Sequence, residues 1–125
     1  MRIFKTTWFG RFADKEDISD DSLKGVISQL ETGQFDADLG GGVYKQRLAL
    51  PGSGKSGGYR LLLCFRQGER AFFLYGFSKS GRSNITAGEK ADMKKLAKTF
   101  FALTDADLDR LVQCGSLQEI CGADI

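Results

Sequence analysis

The chain has 125 residues, 42% hydrophobic and 27% charged, with a formal net charge of +2; this suits one soluble domain, and no apolar run approaches the ~18 residues that cross a bilayer. It contains no histidine, which excludes histidine general bases, Ser-His-Asp triads and the usual zinc-protease helix, so any chemistry must use Lys, Arg, Tyr, carboxylates or thiols. Cys64, Cys114 and Cys121 form no CxxC pair, which argues against a disulfide framework or structural zinc and fits a reducing, cytoplasmic setting.

In chain order, the basic start "MRIFKTTWFGRF" has no signal-peptide pattern, and "RIFKT" within it reads as a short strand. "TWFGRFADKE" reads as a first helix with Trp8, Phe9 and Phe12 on its apolar side. "ISDDSLKGVISQLETG" is a second helix: Ser19 caps it, Asp20 and Asp21 suit its positive end, and Leu23, Val26, Ile27 and Leu30 form one stripe. "FDADLGGG" reads as loop. "VYKQRLAL", "YRLLLCFR" and "AFFLYGFSK" read as three strands, the last two joined by the short "QGE" turn, and tight links predict an antiparallel sheet.

Two helices follow. Thr86 and Glu89 form a capping box ahead of a stripe of Met93, Leu96, Ala97 and Phe100. Thr104 precedes "DADLDRLV", with Leu108, Leu111 and Val112 as its apolar side. The predicted fold class is α+β: a short N-terminal strand, two helices, an antiparallel meander and C-terminal helices packed on the sheet.

Ala49 to Ser56, "ALPGSGKS", fits the loose spelling of a phosphate-binding loop. That loop needs a helix directly after its Lys-Ser pair, whereas Gly57, Gly58 and the β-like "YRLLLCF" follow. No βαβ pattern surrounds it and no strand downstream ends in a magnesium-binding Asp, so an NTPase is excluded. Charge gives the loop's lysine another meaning. Residues 43–82 hold eight basic residues and one acid, a charge of +7, between flanks of −3 and −2. A basic centre between acidic flanks points to a polyanionic ligand. Alternation puts Lys45 and Arg47 on one face of their strand, and Tyr75, Phe77 and Lys79 on one face of the last strand. If those faces coincide around Arg60, Tyr59 and Tyr75 can stack bases while the cations neutralise phosphates. The competing reading of Arg60 is a structural ion pair with one of the acids.

The string "DADLGGGVYKQRLALPGSGKSGGYRLLLCFRQGERAFFLYGFSKSGRSNI" resembles the RelE/HigB group of toxins from bacterial type II toxin–antitoxin systems, within the RelE/ParE superfamily. The matching features are the KxR strand, the "GKSGGYR" turn and strand, and "FLYGFSKSxRxNI" leading into a helix. The likeness spans roughly residues 1–103, the expected toxin domain, with residues 104–125 as a helical extension packed on it.

The resemblance implies a metal-independent endoribonuclease that needs no cofactor, cuts mRNA in the ribosomal A site and is silenced by a cognate antitoxin. Cleavage in such toxins begins with attack of a 2′-hydroxyl on the adjacent phosphate. By motif, Lys55, Arg60 and Lys79 are the catalytic candidates: Arg60 stabilises the transition state, and Lys55 or Lys79 transfers the proton. A lysine crowded by cations has a lowered pKa and can act as base. Lys45, Arg47 and Arg82 are expected to hold RNA phosphates. Ser80 and Thr86 stand where some members carry tyrosine or arginine. The alternatives are a ParE-like toxin directed at gyrase, whose members generally lack the full Lys–Arg–Lys set, and an RNA-binding domain without catalysis.

Overall fold

The computed structural model describes residues 1–49, 58–79 and 84–120. The first strand, β1 (Arg2–Thr6), runs into α1 (Thr7–Lys15), where the Thr6 side chain accepts the Phe9 N–H and so caps the helix. Helix α2 (Asp20–Glu31) starts at the Ser19 cap with Asp20 and Asp21 in its first turn, and its stripe of Leu23, Val26, Ile27 and Leu30 is buried.

The segment expected to be loop holds a strand, β2 (Ala37–Gly40), paired antiparallel with β3 (Val43–Leu48). Gly40, Gly41 and Gly42 turn this hairpin with φ of +88°, +65° and +82°, a left-handed path that other residues resist. Then come β4 (Tyr59–Arg66) and β5 (Arg70–Ser78), with the expected turn at Gln67–Glu69 between them. The segment after the lysine loop is thus a strand, which agrees with exclusion of a phosphate-loop NTPase.

Helix α3 (Ala87–Ala102) carries the Thr86–Glu89 capping box, and α4 (Asp105–Gln113) carries a matching one between Thr104 and Asp107. Leu96, assigned to the buried stripe of α3, is 41% exposed, while Met93 and Ala97 are buried. A last strand, β6 (Leu117–Glu119), was not expected.

The strands form one sheet in the order β2-β3-β4-β5-β1-β6. The meander is antiparallel as predicted, but β1 pairs parallel with β5, Ile3 opposite Ala71 and Phe4 opposite Phe72. Helices α1 and α2 lie between β1 and the meander in sequence, and the chain returns beside β1 only with β5.

Each sheet face has its own core. Helices α1 and α2 pack Phe9, Leu23, Ile27 and Leu30 against Ile3, Leu61, Leu63 and Phe73. On the other face α3 and α4 pack Met93, Ala97 and Leu108 against Phe4, Leu62, Cys64 and Phe72. Burial of both faces explains why β4 reads "LLLCF" without alternation. Arginine hydrogen bonds fasten the C-terminal elements: the Arg2 guanidinium donates to Glu119 at 2.8 and 2.9 Å and to Asp109 at 2.8 Å, and Arg70 donates to the Leu103 carbonyl at 2.6 Å. Among the described residues no helix is long and apolar enough to cross a membrane.

Candidate functional site

Strand register decides which side chains share a face. Arg47 stands opposite Arg60 and Lys45 opposite Leu62. Across the next pair, Arg60 stands opposite Phe77 and Leu62 opposite Tyr75. Lys45, Arg47, Arg60, Tyr75 and Phe77 therefore share the sheet face that carries α3 and α4.

Tyr75 reaches this face through an irregularity in the strand. The register slips between Leu62 and Leu63, which pair with Tyr75 and Phe73 respectively, leaving Leu74 as the extra residue. Phe73 belongs to the α1–α2 core, whereas Leu74 and Phe77 belong to the α3–α4 core and Tyr75 packs against it. Without the bulge, regular alternation would keep Tyr75 on the Phe73 side.

The cations converge on one acid. The Asp36 carboxylate lies 3.8 Å from Lys45 Nζ, 3.5 Å from Arg47 Nε and 3.8 Å from Arg60 Nε. These separations exceed normal hydrogen-bond lengths, so the contacts are loose ion pairs. The Arg60 side chain is 12% exposed and that of Arg47 is 68% exposed, which makes Arg60 the inner member and Arg47 the outer. Asp36 is held by its backbone: its N–H donates to the Lys45 carbonyl at 3.1 Å and to Gln46 Oε1 at 2.9 Å. Buried Gln46 in turn donates to Gln29 Oε1 at 2.6 Å, tying this corner to α2.

Lys79 sits one residue past β5, exposed, with its N–H donating to the Gly58 carbonyl at 3.0 Å, beside the Tyr59–Ser78 pair. It thus stands at the strand end that carries Arg60. Tyr59 is not gathered with the cations. It packs against the α1–α2 core, and its hydroxyl donates to Glu16 Oε1 at 2.9 Å. That bond, followed by burial, pushes the phenol above its ordinary pKa. Lys55 and Arg82 lie outside the described residues.

Two residues at this end escaped the sequence reading. Asp36 lies in the segment that reads as loop, with no motif to mark it. Trp8 reads as part of the apolar side of α1, yet it is 45% exposed, with its ring 4.3 Å from Tyr75 and 5.5 Å from Phe12. Cys64 is buried as expected, and desolvation pushes its thiol up to about 12. Among the described residues no three His, Cys, Asp or Glu side chains are grouped so as to hold a metal ion.

The result is a small α+β domain with arginine and lysine side chains grouped on one face of a helix-covered sheet. The chain belongs to the RelE toxin family: the family model for the RelE toxin of the RelE/RelB toxin–antitoxin system matches residues 1–120. No curated protein matches the chain. It is therefore the toxin partner of a toxin–antitoxin pair, and membership implies a cognate antitoxin.

Proposed function

We propose that this toxin is a metal-independent endoribonuclease that cleaves mRNA in the ribosomal A site and acts in the cytoplasm, with its cations serving as both grip and catalyst. The observation that carries the reading is the placement of Arg60 on the same face as Lys45 and Arg47, with Lys79 at the adjoining strand end.

A scissile phosphate seated against Arg60 would meet a fixed cation that stays protonated and stabilises the extra negative charge of a five-coordinate phosphorus. A lysine, Lys55 or Lys79, accepts the 2′-hydroxyl proton. The 2′-oxygen then bonds to phosphorus, the bond to the 5′-oxygen breaks, and that oxygen takes up a proton from the second lysine. The products are a 2′,3′-cyclic phosphate and a 5′-hydroxyl. Lys45, Arg47 and Arg82 hold neighbouring phosphates, and Tyr75 offers a ring to a base. Tyr59, on the other face, supports the strand end through Glu16.

The test is induction of the toxin in cells without its antitoxin, with mRNA 5′ ends mapped for wild type and Arg60→Ala. New ends and growth arrest with wild type, both lost in the variant, are expected. Growth arrest with intact mRNA and trapped gyrase would overturn the reading in favour of a gyrase-directed toxin.

A further inference from the structure

We propose that Asp36 is the positioning residue of the cationic face: its carboxylate stands in for a phosphate while RNA is absent and holds Lys45, Arg47 and Arg60 in a convergent arrangement. The proposal rests on the RNA-cleaving reading of that face.

Arg47 and Arg60 are directly opposed across β3 and β4, a placement in which like charges repel, and Lys45 lies on the same face. A carboxylate within 3.5–3.8 Å of all three offsets that repulsion and leaves a surplus of two positive charges. The spacing is too long for tight hydrogen bonds, so an RNA phosphate can compete for the same cations without first breaking a bidentate pair.

Asp36 is itself fixed from the opposite side of the strand. Its N–H is shared between the Lys45 carbonyl and Gln46 Oε1, and Gln46 is anchored by Gln29 and by the Gln34 carbonyl at 3.3 Å. A carboxylate held by the backbone sets a fixed centre on which longer, more flexible side chains converge. This predicts opposite effects on binding and chemistry. Removing the charge strengthens attraction for RNA but loosens Arg60, whose orientation matters in the transition state.

The test compares full-length wild type, Asp36→Asn and Asp36→Glu, with Arg60→Ala as reference. Affinity is measured by anisotropy on a 2′-O-methyl single-stranded RNA across a salt series, and kcat and KM on mRNA in programmed ribosomes. Asp36→Asn is expected to bind several-fold tighter at low salt, with a log–log salt slope steeper by about 0.7. Its kcat is expected to fall about tenfold with no rise in KM, and Asp36→Glu to recover most of it. Equal affinities and slopes for wild type and Asp36→Asn, including no measurable binding by either, overturn the proposal. So does a rise in KM together with a lowered Tm, the mark of a merely structural residue. If wild type and Arg60→Ala cleave alike, or neither cleaves, the nuclease reading fails, and the affinity series alone decides the role of Asp36.

Discussion

Arg47 and Arg60 face each other as a cross-strand pair, and the Asp36 carboxylate lies within 3.8 Å of the Nε of both. Two arginines opposed on neighbouring strands work against the sheet, because like charges at that separation repel. A purely structural solution would put an apolar or oppositely charged residue at one of the two positions. Instead Lys45, Arg47 and Arg60 stand around the Asp36 carboxylate, and these four side chains keep a net positive charge.

Arg47 is the outer cation, and its loss should be felt by RNA more than by the fold. Arg47→Ala is expected to leave stability within about 0.5 kcal/mol of wild type. Its RNA affinity should fall, and the salt slope should become shallower by about 0.7, the contribution of one phosphate contact to a single strand. Anisotropy titrations at several salt concentrations, with a thermal melt, check both.

Gly76 is required by its neighbour. A Cβ at this position would lie 2.5 Å from Phe12 Cε2, and the Phe12 ring is hemmed in by Trp8, Phe9 and Tyr59 at centroid distances of 5.5, 5.7 and 5.9 Å. Gly76→Ala should cost about 1–3 kcal/mol, the usual range for overpacking. Urea unfolding measures the loss. Trp8 is the chain's one tryptophan, so its emission reports the displaced ring stack directly.

Which parts of this architecture the sequence revealed follows from how local each signal is. Caps are local: Ser19, Thr86 and Thr104 each name a helix start within four residues, and all three are found there. The strands of the meander were legible because their apolar runs are bounded by turn residues. The parallel β1–β5 pair was not, because Ile3 and Ala71 are far apart in sequence and nothing local specifies partner or direction. Strand β6 is three residues long, and β2 hides in a segment rich in Gly and Asp. Leu96 fits the helical spacing but lies where the sheet does not cover α3, since periodicity gives a stripe without giving its width.

At the candidate site, alternation on β3 placed Lys45 and Arg47 together, and the register then added Arg60. The same alternation gave Tyr75 and Phe77 a common face, but only the bulge at Leu74 decides that it is the face of Arg60. Asp36 escaped because an acid in a loop is the commonest of sights; its meaning comes entirely from the three cations that fold onto it.

Arg2 ties both C-terminal elements to the sheet, through Glu119 of β6 and Asp109 of α4. The Glu119 hydrogen bonds are the main reason its guanidinium is held protonated even more firmly than usual. Arg2→Ala should destabilise the protein by about 2 kcal/mol, the range for part-buried hydrogen bonds between charged groups. Hydrogen exchange should quicken at Leu117–Glu119 while the β4–β5 amides remain protected.

Tyr59 makes a pH-dependent contribution of definite sign. Its pKa is raised in the folded state, mainly by donating to Glu16, so as pH rises the unfolded chain loses the phenolic proton first. The stabilisation is complete below the ordinary value of about 10 and is lost as pH climbs through the raised folded value. Wild type should exceed Tyr59→Phe by about 1 kcal/mol at neutral pH, as for one retained hydrogen bond. Urea unfolding at a series of pH values should show the gap constant up to about pH 9 and shrinking above about pH 10. A gap that widens with pH would contradict the assignment.

The most direct measurement of the central claim uses purified toxin, ribosomes programmed with a defined mRNA, and analysis of the cut ends. Wild type is expected to leave a 2′,3′-cyclic phosphate and a 5′-hydroxyl, to spare an mRNA with a 2′-deoxy sugar at the cut site, and to lose about 100-fold or more in rate on Arg60→Ala. An Arg60→Ala protein that cuts as fast as wild type, or cleavage of the 2′-deoxy substrate, would contradict it.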